Sequence, residues 1–124
     1  MKIETIYVIE NNKFGEAITQ WAEGKRIQVV PINRKKDDLN GVIDGVVLFH
    51  ENHNFSKSDD ELQEEMSSGN IAVHKVDING TLVATNSNFN MWLDRNRPKN
   101  VLVLGDSGVA KNENLPNFLD GIEN

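Results

Sequence analysis

Two short stretches of the chain hold residue types that could do chemistry. The first is Gly105-Asp106-Ser107-Gly108, which follows the apolar run Val101–Leu104. A strand running into a glycine-flanked serine can present a nucleophile on a turn, but the hydroxyl attacks only when a base lies within hydrogen-bond reach. The second is His50-Glu51-Asn52-His53. Two imidazoles and a carboxylate on one loop could share a divalent ion, with a third ligand from Asp77, Asp106 or Glu10. Neither stretch completes a recognisable constellation. Seventeen residues follow Ser107, and none is His. There is no H-E-x-x-H and no second His pair for a metal, and no G-x-G-x-x-G or P-loop for a nucleotide. With no Cys in the chain, thiolate nucleophiles, disulfides and Cys-based metal sites are excluded.

The elements that position these residues follow from hydrophobic period. The β-branched and aromatic run 3–9 reads as a strand. Phe14, Ala17, Ile18 and Trp21 then fall at i, i+3, i+4 and i+7, one face of a helix that Asn11 or Asn12 can cap. Residues 26–32 form a second strand, with Pro31 near its end or on a sheet edge because proline donates no hydrogen bond. A short connection around Leu39 has room for one or two helical turns. The stretch 45–49 is apolar throughout, as suits a strand covered on both faces. Ser58 and Glu61 are spaced as a capping box at the head of an acidic helix whose apolar face is thin, Leu62 and Met66. Residues 70–78 form a fourth strand. Asn79-Gly80 after it is either the turn of a hairpin or part of a loop to the next helix. Phe89, Trp92 and Leu93 share a helical face. Residues 101–104 form a further strand, and Leu115, Phe118, Leu119 and Ile122 a closing helix. The polar, turn-rich stretches 33–41, 51–57 and 106–114 read as the flexible ones.

Strands alternating with helices predict an α/β fold of one domain over 1–124: a three-layer sandwich around a mainly parallel sheet of about five strands. The element order resembles flavodoxin-like architectures such as receiver domains, flavodoxins and TIR-like domains. It is a resemblance of architecture, which carries no residue roles with it. A receiver site would need paired acids after the first strand, an Asp ending the third and a Lys after the fifth. Here those places hold Glu10 alone, His50 and Asp106. A flavodoxin's Ser/Thr-rich phosphate loop is not supplied by Glu10-Asn11-Asn12-Lys13. Gly105-Asp106-Ser107 resembles the nucleophile block of GDSL-type esterases, but that block opens its domain and here it lies near the end.

In open α/β sheets, ligands sit outside the carboxyl ends of the strands. That rule selects Glu10 and Asn11 after the first strand, His50, Glu51 and His53 after the third, Asp77 after the fourth, and Gly105, Asp106 and Ser107 after the last. His50 and His53 are expected as exposed loop positions, and Gly105 and Gly108 as freeing the backbone of a strand-to-helix turn. His74 alternates within a strand and reads as a packing residue. No cofactor is expected, with a divalent metal at the histidine loop as the lesser alternative.

Charge narrows the partners. The net charge is −6, and residues 37–65 hold nine Asp/Glu against one Lys. An acidic chain gains little from neutralising phosphates, so nucleic acid is not an expected partner. No run approaches a membrane span, and acids interrupt the first apolar stretch, unlike a signal peptide. A cytoplasmic protein is expected. Two functions stay open. The first, which is favoured, is a non-catalytic module acting through protein contacts or self-association. The second is a small-molecule binder or enzyme using Glu10, His50, His53, Asp77 and Asp106 for proton transfer or to hold an ion.

Ser107 is expected to be unreactive. Incubation with a serine-directed phosphonate probe followed by mass spectrometry should find no adduct, and stoichiometric labelling at Ser107 would refute this.

Overall fold

A computed structural model describes residues 3–33 and 41–122. Five strands, β1 (Thr5–Ile9), β2 (Gln28–Ile32), β3 (Gly45–His50), β4 (Ala72–Asp77) and β5 (Asn100–Leu104), form one all-parallel sheet. The helices are α1 (Lys13–Ala22), α2 (Lys57–Ser68), α3 (Leu82–Asn96), α4 (Ser107–Lys111) and α5 (Asn114–Asp120). The expected α/β architecture is present, with its three layers. The expected turns around Leu39 lie outside the described residues.

The strand order is β2-β1-β5-β3-β4, whereas flavodoxin-like sheets run 2-1-3-4-5. Here the last strand is inserted at the centre, between β1 and β3. Composition accounts for this position. Val101, Leu102, Val103 and Leu104 are all buried, and only a strand covered on both faces and paired on both sides can use four successive apolar residues.

Alternation along the strands sends side chains to two separate cores. Ile6, Val8, Val47, Phe49, Val76, Val101 and Val103 face α1, α3, α4 and α5. There Phe49 sits between Phe14, tilted against it, and Phe118, edge-to-face with it, with ring centroids 5.3 and 5.4 Å away. Val46, Leu48, Leu102 and Leu104 face α2 through Leu62 and Met66, with Ile43 beside them. The thin apolar face read in α2 suffices because α2 is the one described helix on that side.

Asn79-Gly80 is not a hairpin turn. The Gly80 N–H returns to the Asp77 carbonyl at 3.0 Å, and α3 begins two residues later, so the stretch read as a second hairpin strand is the first turn of a longer helix. The cap of α2 is Ser56, not Ser58: its hydroxyl accepts the Asp59 N–H at 3.1 Å, which starts the helix earlier than the capping-box spacing indicates.

The two sheet edges differ. The Gln28 N–H donates to the Glu4 carbonyl, and the Ile32 carbonyl accepts from Glu10. Residues 28, 30 and 32 therefore bond to β1, which turns the nitrogen of Pro31 outward, where no donor is lost. On β4, the Ile78 N–H donates to the His50 carbonyl, so Val73, Lys75 and Asp77 turn their backbone groups outward.

Gly105 closes β5 beneath α1. A β-carbon there would stand 2.7 Å from the Phe14 ring. Its φ is not positive, Gly41 being the positive-φ glycine among the described residues. Close packing, not conformational freedom, requires glycine at this site. Gly105→Ala should destabilise the protein by about 1–3 kcal/mol through overpacking. Gly24→Ala, at a position with nothing within 4 Å, should stay within about 0.5 kcal/mol. Urea denaturation of both variants checks this, and equal stabilities would refute the space argument.

Candidate functional site

The carboxyl ends of the strands are occupied by the residues that topology selects, and these fall into three places. Towards β2, the Glu10 carboxylate accepts from Asn33 Nδ2 at 2.9 Å. At the centre, the connections from β1 and β3 leave the sheet on opposite faces, and a cleft of about 540 Å³ opens over the end of β5. Its walls are Asn11, Asn12 and Lys13 at the head of α1, Ser56, Ser58 and Asp59 at the head of α2, and Gly105, Asp106, Ser107 and Lys111. Over β3 and β4 stand His50, Glu51, His53 and Asp77.

The polar groups at these places are mostly engaged by the chain itself. Asn12 Oδ1 accepts the Gly15 N–H at 3.0 Å, and Asp106 Oδ1 accepts the Val109 N–H at 2.9 Å. Both are helix caps, which satisfy amides that the first turn leaves without partners. Gly105-Asp106-Ser107-Gly108 is thus a strand end and a capped helix start. Ser107 is exposed in the first turn of α4. A β-carbon at 108 would stand 2.7 Å from Glu51 Oε1, the end of a flexible side chain that would have to move aside.

The third place is a clasp between loops. Asp77 Oδ1 accepts the N–H groups of Asn52 at 3.1 Å and Asn79 at 3.0 Å. Asn112 Nδ2 donates to Glu51 Oε2 and to Asn79 Oδ1, both at 2.9 Å. Asn114 Nδ2 reaches the Ile78 carbonyl at 3.1 Å. The loops after β3 and β4 and the α4–α5 junction are held together by one carboxylate pair and four asparagines. Sequence reading places Glu51, Asn52 and Asp77 at this edge but misses Asn79, Asn112 and Asn114 as its partners. The available signal was the run of asparagines at predicted turns, where a short amide can bond to nearby backbone.

No family model, no curated protein and no solved structure matches the chain. The chemistry of the site therefore rests on its own geometry.

His50 occupies the expected strand end, but it is buried, with 2% of its surface exposed, and not an open loop position. The correction has a simple cause: it belongs to β3 and points to the α2 face, against the edge of Phe55 at 5.7 Å. Its ring stacks on His53 at 5.0 Å, so the two histidines do meet. However, His50 Nδ1 accepts the His53 backbone N–H at 2.9 Å, which removes that nitrogen as a ligand atom. Among the described residues no three His, Asp or Glu side chains are grouped so as to hold a metal ion. Burial pushes the His50 pKa down; the attraction of Asp77 opposes this, while His53 and Lys75 add to it. Burial works to raise the Asp77 pKa, but the two amide donors, with His50 and His53, outweigh it and hold the carboxyl below its usual value.

His74 is a packing residue, as its alternation indicates. Its ring lies 5.7 Å from Phe89 and 5.5 Å from Trp92. Burial lowers its pKa from 6.5. The unfolded chain then binds a proton more readily than the folded one, so this contribution to stability is complete above pH 6.5 and is lost as pH falls through the folded value. Thermal melts between pH 7.5 and 5 should show declining stability, with a shallower decline in His74→Phe. An equal slope in the variant would refute the assignment.

Proposed function

We propose that the chain is a non-catalytic cytoplasmic α/β module that acts through protein contacts, with another protein or a second copy. The observation that carries this reading is the use of the carboxyl edge. Glu51, Asp77 and Asp106 accept hydrogen bonds from the chain's own amides, and Glu10 stands apart with Asn33. General acid–base work needs a titratable group free to reach a substrate, and these are held as braces and caps. Contact is offered elsewhere. On α3, Val83 is 79% exposed, Met91 55% and Leu82 43%, around a shallow groove that also includes Asn86, Asn90 and Gly121. Exposed apolar side chains grouped on one helix face suit a protein partner. The net charge of −6 opposes nucleic acid.

A second reading has one specific observation in its favour. The 540 Å³ cleft lies where the crossovers diverge, the place where open α/β sheets take small molecules, and its size is within the usual range for ligand sites.

The two readings separate experimentally. A photo-crosslinking amino acid at position 83 should give one discrete adduct in cells, resolved by mass spectrometry as a second copy or a single other protein, while the same group at position 25 should give none. Native mass spectrometry of the purified chain should show no retained small molecule. A chain without a position-83 adduct that carries a bound metabolite would refute the contact reading in favour of the cleft.

A further inference from the structure

The loop after β3 has an unusual backbone. Asn52 and His53 both have positive φ, 52° and 67°, and the Asn54 N–H returns to the Glu51 carbonyl at 2.9 Å. This is a type I′ turn, whose two central positions favour glycine or asparagine. A histidine in the second of them is held against its preference, so the structure around the turn must over-determine it. One of the holding contacts is a titratable ring. His50 Nδ1 accepts the His53 N–H, and an imidazole nitrogen that accepts carries no proton, so the neutral ring keeps its single proton on Nε2.

We propose that His50 is a proton-operated latch on the carboxyl edge: a second proton, taken from solvent onto Nδ1, converts the acceptor into a donor facing the His53 N–H and releases the 51–54 turn. No other change is needed, because the lone pair that accepted the amide hydrogen is the one that binds the proton. The titratable and charged groups around the ring come from four directions. The turn supplies His53, stacked at 5.0 Å. β4 supplies Asp77, which favours the protonated ring, and Lys75, which opposes it. Lys75 also sits 5.4 Å over the Phe55 ring. The inner face of α2 carries Asp59, buried on the same side of the sheet. On the β5 side, Asp106 caps α4 through Val109. Burial, with Lys75 nearby, favours the neutral ring, which is the latched state.

The other ties hold the first half of the turn. The Asn52 N–H is bound to Asp77 and Glu51 to Asn112, so loss of the His50 contact frees His53, at the second central position, while the preceding residues stay attached. The result is a loop ordered while the His50 ring is neutral and mobile once the ring takes its second proton. This inference is independent of whether the module meets a partner through α3.

Nuclear magnetic resonance of the ¹⁵N-labelled chain tests it. At pH 7.5 the His50 ring nitrogens should report the Nε2–H tautomer, and the His53 amide should be protected from hydrogen exchange. As the His50 ring takes its second proton, the protection factor of that amide should fall at least tenfold with the same midpoint, while β5 amides keep theirs. His50→Asn places a non-titrating acceptor oxygen where Nδ1 stood and should keep the amide protected in acid. His53→Gln keeps the backbone N–H and should still show the loss. Protection that survives protonation of His50, a His50 that stays neutral until the protein unfolds, or a response abolished in His53→Gln would each overturn the latch. The wild-type titration decides the matter even if His50→Asn fails to fold.

Discussion

The insertion of β5 between β1 and β3 is the constraint on which the rest depends. Its residues Val101–Leu104 need apolar cover on both faces and a bonded strand on each side. That need separates β1 from β3, whose right-handed crossovers run outward to β2 and β4 on opposite faces, so the heads of α1 and α2 diverge over the end of β5. It also sets where α4 starts, since Gly105 must pass beneath Phe14 before Asp106 can cap the helix. Because β5 is the last strand, its pairing closes a loop of nearly the whole chain. Such distant contacts gain energy only after a large loss of chain entropy, which slows folding relative to locally connected folds.

The carboxyl edge shows how ordinary side chains can stand in for regular structure. The connections after β1, β3, β4 and β5 all leave there, and they bring backbone groups that no strand or helix satisfies. Buried or half-buried groups of this kind must find partners. The chain provides them with short amides and carboxylates, which act at close range and lose little side-chain freedom. An edge rich in acids and histidines can therefore resemble a catalytic centre in composition while being built as a frame.

Much of the fold was legible in the sequence, because the signals were periodic. The apolar runs 45–49 and 101–104 identified central strands, and Phe14 to Trp21 and Phe89 to Leu93 identified helix faces that proved buried. Misread features depended on contacts distant in sequence. Asn79-Gly80 carries a hairpin signal in isolation, but α3 outcompetes a second strand because Phe89, Trp92 and Leu93 extend an apolar face back over the sheet. The role of Gly105 depends on Phe14, ninety-one residues earlier. The clasp depends on Asn112 meeting Glu51 across sixty-one. Topology alone placed the candidate residues at one edge; it could not say that most of them would bind one another's loops.

The unequal edges of the sheet limit how copies of this chain can join. With Pro31 facing outward on β2, that side offers few amides to a further strand. On β4, Val73 and Lys75 turn their backbone groups away from β3, and no further strand pairs there among the described residues. A sheet with one receptive side can be extended by a second copy across a two-fold axis, and the pair then presents only its two closed sides. Growth confined to the β4 edge would stop at a pair, which makes such an edge a poor template for fibres.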